Sequence, residues 1–127
     1  MNVPDELKYS RTDEWVNRED EVVTIGITDY AQNELGEIVY VELPEVGASV
    51  TPDAPFGVVE SVKAVAELVA PVGGEVIAVN EQVTDNPSLI NDSPYIDGWM
   101  LKIKIADAAP LASLMDAAEY AEYRSNH

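Results

Sequence analysis

Among 127 residues there is no cysteine, one phenylalanine and one histidine. Without cysteine there are no disulfides, no thiol nucleophile and no thiolate-ligated zinc. The single histidine, His127, is the last residue, where disorder is expected, so neither a triad base nor an imidazole-ligated metal centre is expected. With a single Phe in a chain that is 46% hydrophobic, the core is expected to be built from Val, Ile, Leu and Ala. Positive charge is also scarce. Seven basic against 24 acidic side chains give a formal charge of −17. That sign is wrong for neutralising phosphate, so nucleic acid and anionic lipid surfaces are poor partners and proteins with basic faces are better ones. No apolar run approaches the length of a membrane span. The start, MNVPDELK, has neither a signal-peptide core nor an Arg-rich transit pattern. The expectation is a soluble intracellular chain, or a mature form whose transit segment is missing.

What is present reads as one domain, 1–127, with a valine-rich middle. Strands are expected at EVVTIGI (21–27), EIVYVEL (37–43), PFGVVESV (55–62), AVAELVAP (64–71), GEVIAVN (74–80) and WMLKIKI (99–105). In the second, alternation puts Val39, Val41 and Leu43 on one side. TDYAQNELG (28–36) reads as a short helix, with Thr28 or Asp29 as N-cap and Gly36 as a left-handed stop. PLASLMDAAEYAEY (110–123) reads as one helix, because Leu111, Leu114, Met115 and Ala118 follow helical spacing. Short strands with Gly, Pro and Asn turns predict a mainly β sandwich or flattened barrel with small helices at its ends.

An offset of 33 residues lays VGASVT (46–51) on VNEQVT (79–84), aligning Gly47 with Asn80, both residue types tolerant of positive φ. Two β units related by an approximate two-fold would then meet at a hairpin near residues 62–63. Lys63 stands at that point. Between Arg18 and Lys102 it is the single basic residue among sixteen acidic ones. The turn SVKAV lacks the Asn-Gly or Asp-Gly chemistry of tight hairpins. A lysine at the apex of a poor turn suggests a tip selected for what recognises it.

VESVKA (59–64) resembles the lipoyl-attachment motif of the glycine cleavage H-protein family, and the resemblance is long. GITDYAQNELGEIVYVELPEVG (26–47), APVGGEVIAVN (70–80) and NPSLINDSPYIDGWMLKIK (86–104) are similar to further blocks of that family, in the same order. The resemblance implies a barrel-sandwich hybrid with a core over about 7–105 and a helix over about 110–123. It implies lipoate in amide linkage to Lys63. Its implied partners are glycine decarboxylase (the P-protein), aminomethyltransferase (the T-protein) and dihydrolipoyl dehydrogenase (the L-protein), with a lipoate ligase or lipoyl transferase reading Glu60, Ser61, Val62 and Ala64. It implies a monomeric carrier rather than an enzyme, in a bacterial cytoplasm or, for a mature organellar form, the mitochondrial matrix. A cationic aminomethyl group held in a cleft would suit carboxylates. Glu14, in TDEWV (12–16), and Glu67, four residues beyond Lys63, are the candidates.

Two residues depart from the family pattern, Asp13 and Tyr30, where histidine is common. Other readings fit less well. A biotin carrier would show Met-Lys-Met, an acyltransferase lipoyl domain Asp-Lys-Ala, and a phosphopantetheine carrier a serine opening a helix. Paired-carboxylate hydrolysis lacks a supporting context. Asp92 and Asp97 in NDSPYIDG (91–98) lack the spacing of an EF-hand loop, and an Asx-type turn is expected there instead. A purely structural acidic module would need no lysine.

Overall fold

The computed structural model describes residues 1–126, so the expectation for His127 lies outside the described residues. In chain order the strands are β1 (Lys8–Tyr9), β2 (Glu14–Glu19), β3 (Val22–Ile27), β4 (Ile38–Glu42), β5 (Ser49–Val50), β6 (Pro55–Ser61), β7 (Val65–Val69), β8 (Gly74–Val79) and β9 (Leu101–Ile105). Helices α1 (Asp29–Leu35), α2 (Glu81–Asp85), α3 (Ser88–Asp92) and α4 (Ala117–Ser125) lie between or after them. One sheet has six strands in the order β1-β2-β3-β9-β8-β5, and the other three, β4-β6-β7. All neighbouring strands run antiparallel.

The core follows the expected composition over most of its extent. Val23, Ile25, Val76, Leu101 and Ile103 fill one cluster, and Ile38, Val41, Val59, Leu68 and Ile90 a second. Phe56 packs against both. A third cluster was not foreseen, because it is aromatic. Tyr9, Trp15 and Tyr120 are buried together. The Tyr9 and Tyr120 rings stack at 4.8 Å, and Trp15 Nε1 donates to Pro94 O at 3.0 Å. Aromatic rings with a polar handle can be buried when that handle finds a partner. These partners come from sequence-distant segments, so composition could not show them.

Several local expectations are corrected. A bulge between Ile38 and Tyr40 breaks the alternation of β4, so Ile38 and Val41 face inward while Val39 is 51% exposed. Gly36 ends α1 at φ 82, ψ −153, a region open to glycine but not the left-handed helical one. The 33-residue offset does not carry into local conformation, since 46–51 form a turn and β5 while 79–84 run into α2. Gly47 has φ 96, yet Asn80 has φ −83 and caps α2. The tail is split rather than continuous. A 3-10 turn (Ala109–Ser113) is followed by Met115 exchanging backbone hydrogen bonds with Tyr9, both 2.8 Å. Asp116 then opens α4 with a capping box to Glu119. The Asx-type turn expected at 91–98 gives way to the end of α3 and a turn in which Asp97 N–H donates to Ser93 Oγ at 3.1 Å.

One polar residue fixes the region beside Lys63. Asn91 accepts from Ile38 N–H at 2.9 Å and donates to Gln32 Oε1 at 2.9 Å and Gly36 O at 2.8 Å. It therefore ties the end of α1 to the start of β4. Replacing it with alanine leaves these partners unmatched in a part-buried setting. We expect a loss of about 2–3 kcal/mol in urea unfolding.

Candidate functional site

Lys63 occupies the tip between β6 and β7, and its side chain is exposed. Ser61 supplies the turn chemistry that the sequence seemed to lack. Its hydroxyl accepts from Ala64 N–H at 3.0 Å and Lys63 N–H at 3.3 Å, and donates to Ala64 O at 3.3 Å. Ser61 N–H donates to Ala64 O at 2.8 Å, and Val62 N–H to Glu37 O at 3.1 Å. The tip is thus pinned within the hairpin and to the segment entering β4. Val62 is 74% exposed and Ala64 is exposed too, so neither serves strand packing. Ser61→Ala is expected to cost about 1–2 kcal/mol and to speed amide exchange at Lys63 and Ala64, measured by hydrogen exchange.

Beside the tip lies a cavity of about 200 Å³ that brings both candidate carboxylates together, Glu14 and Glu67. Its walls are the β1–β2 loop and the start of β2 (Thr12, Asp13, Glu14), α1 (Tyr30, Ala31, Glu34, Leu35) and the hairpin (Val59, Ala66, Glu67, Leu68). From Lys63 to Ala66 the chain advances three residues, about 10 Å along a strand. The Lys63 stem lies over Gly36, where an added Cβ would stand 3.5 Å from its Cε. Gly36 directly follows Leu35, one of the residues lining the cleft.

Glu14 is 2% exposed. Ser10 Oγ donates to its Oε1 at 2.7 Å, Thr12 Oγ1 donates to the same atom, and Val69 N–H donates to Oε2 at 3.3 Å. Burial nevertheless dominates and pushes its carboxyl up to about 7, with those hydrogen bonds opposing and nearby Asp13 assisting. Glu67 is exposed at the hairpin edge, so of the two candidate carboxylates one is buried and one solvated.

The two departures, Asp13 and Tyr30, also line this cleft, and α4 holds them both. Arg124 donates from Nε to Asp13 Oδ1 at 2.8 Å and from Nη2 to Oδ2 at 2.5 Å. Its guanidinium lies 4.4 Å over the Tyr30 ring. Tyr120 adds a hydrogen bond from its hydroxyl to Asp13 Oδ1 at 2.7 Å, and shares another with Thr28, the N-cap of α1, at 2.8 Å. Asp13 adopts φ 72, which aspartate tolerates. Arg124, Tyr120 and Asn91 were not singled out in the sequence, and no local motif marks them, because their partners are tens of residues away.

The profile of one protein family, the glycine cleavage H-protein, matches residues 7–127. The chain belongs to that family. Proteins named glycine cleavage system H protein from Bacillus cereus (strain AH820) and Bacillus anthracis (strain A0248) are 56% identical to it over 122 residues, covering 96% of each chain. A crystal structure of the glycine cleavage system H protein from Mycobacterium marinum is also similar. Its TM-score is 0.91 at 34% identity, over 97% of this chain and 99% of that one. The resemblance in the sequence and the barrel-sandwich fold expected from it are thereby borne out. H-proteins are lipoyl carriers of the glycine cleavage system, working with its other components. Among the described residues no cluster of side chains could hold a metal ion, Asp92 and Asp97 included. Nor is any described helix long and apolar enough to cross a membrane.

Proposed function

We propose that Lys63 bears lipoate in amide linkage. The chain, a single lipoyl-carrier domain over 1–127, shuttles the aminomethyl group of glycine from the P-protein to the T-protein and is reoxidised by the L-protein. It makes and breaks no bond of its own, and it works as a monomer moving between partners. One observation carries this reading: an exposed amine on a hydrogen-bonded hairpin tip, next to a cleft lined by a buried carboxylate. A lysine offers four methylenes and an acylable amine, and a fixed tip keeps the tethered arm at high local concentration. When bound, the lipoyl group supplies a long arm whose sulfurs take up the aminomethyl group and two electrons.

The chain's own residues do the rest. Lys63 anchors the arm, and acylation removes its charge, leaving residues 19–101 without a positive side chain. Glu14, backed by Glu67, attracts a cationic cargo. Ile27, Leu35, Val59 and Leu68 give the cleft apolar walls that exclude water. Glu60, Val62 and Ala64 present the tip to the lipoate ligase or lipoyl transferase, and Ser61 shapes it from beneath. Bacterial relatives favour a cytoplasmic location. The test is intact mass after expression with lipoate, followed by peptide mapping of residues 58–68. A lipoyl-sized increment confined to Lys63 is expected. An unmodified Lys63 in the presence of active ligase would overturn the reading.

A further inference from the structure

Asp13 stands at the wall of the cleft and carries a carboxylate that could compete with Glu14 for the cargo. Both residues line the cleft, but exposure differs: Glu14 is buried, whereas the Asp13 side chain is 17% exposed. We propose that Arg124 is a positioning residue for the cleft, engaging the Asp13 carboxylate so that the cationic cargo settles on buried Glu14 rather than at the rim. This rests on the reading that the cleft receives an aminomethyl-loaded arm.

The geometry supports it from three sides. Arg124 grips both oxygens of Asp13, which is the orientation that uses up a carboxylate most fully. Tyr120 donates a third hydrogen bond to the same group. The guanidinium also covers the Tyr30 ring on α1, so one side chain from α4 touches two of the three cleft walls. Backbone pairing already joins these walls, with Thr28 N–H donating to Asp13 O at 3.0 Å and Glu14 opposite Ile27. The contribution of Arg124 is therefore to charge and side-chain direction rather than to holding the sheet together.

Cargo placed at the rim meets water. Hydrolysis breaks the C–S bond, consuming one water, regenerating the thiol and releasing formaldehyde and ammonium. The experiment loads the reduced lipoylated chain with formaldehyde and ammonium and follows formaldehyde release with no partner enzyme present. Arg124→Ala is expected to release its cargo roughly fivefold to tenfold faster than wild type, the scale of one lost charge-assisted pair. The double variant Asp13→Asn/Arg124→Ala is expected to return to near the wild-type rate, because the carboxylate that loss of Arg124 set free is itself gone. A purely structural role for Arg124 would not be rescued in this way. Carboxyl carbon resonances give a second readout: loading should shift Glu14 in wild type and Asp13 in Arg124→Ala. Equal release from wild type and Arg124→Ala would overturn the proposal, as would a double variant as fast as the single one. A wild-type chain that loses cargo as fast as free aminomethylated dihydrolipoamide would instead overturn the cleft reading on which the proposal rests.

Discussion

Lys63→Arg is expected to fold as the wild type does, to gain no lipoyl mass, and to reduce glycine cleavage in a reconstituted system to background. Arginine keeps the positive charge and a similar stem, but its guanidinium is not the amine that the attaching enzyme acylates. The position is exposed at a tip whose backbone is held by Ser61 and Glu37, not by the lysine side chain, so stability should not change. A chain altered at this one residue therefore separates carriage from docking. If Lys63→Arg retained activity with the partner enzymes, the carrier mechanism would be wrong and the tip would be a contact surface. Equal thermal midpoints for the two proteins, measured first, exclude misfolding as the cause of any loss.

The second large effect concerns Glu14 and pH. Its carboxyl is raised from 4.5 to about 7 by burial, so the folded state holds a proton that the unfolded chain has released. The sign follows directly. Below 4.5 the group is neutral in both states and costs nothing. As pH rises through 7 it must ionise inside the fold, and stability is lost. Between pH 5 and pH 8 this single group is expected to lower unfolding free energy by about 2–3 kcal/mol, from the shift at about 1.36 kcal/mol per unit. Glu14→Gln removes the ionisation, so urea unfolding of the two proteins should diverge by that amount, in favour of the variant at the higher pH. A difference that stays flat across this range would contradict the assignment. Function should move the opposite way. A neutral Glu14 attracts a cation weakly, so retention of a loaded arm should fall as pH drops below 7. The cation's arrival should in turn expel the proton, since an opposite charge nearby favours the ionised form.

Stability and retention thus pull on one carboxyl in opposite directions. A buried acid with three hydrogen-bond donors around it is costly to ionise, yet it is the group that a cationic cargo would use. Sites that store such a cost are frequent where function demands it.

Much of this was legible along the chain because the relevant forces are local or compositional. The runs rich in Val or Ile at 22–27, 55–61, 65–69, 74–79 and 101–105 became strands, since β-branched residues suit a half-buried pleat. Thr28 capped α1 as its position suggested. Lys63 stood out because charge of its sign is absent around it, and the hairpin placed it at a tip. What misled were patterns whose outcome depends on neighbours. Val39 faces solvent because a bulge against β6 flips it. Leu114 and Met115 do not extend a helix because Met115 pairs with Tyr9.

The β-rich class, the acidic composition, the lack of any thiol and the singular lysine were thus readable along the chain. Each follows from residue type and short spacing. Only packing in three dimensions decided that Glu14 is buried with its carboxyl raised to about 7, that Glu67 shares its cleft, and that Asp13 and Tyr30 answer to one arginine on α4. Burial, pKa and salt-bridge partnership are properties of what lies opposite a residue in space. Arg124 is 111 residues from Asp13, a distance across which a single sequence holds no pairing signal.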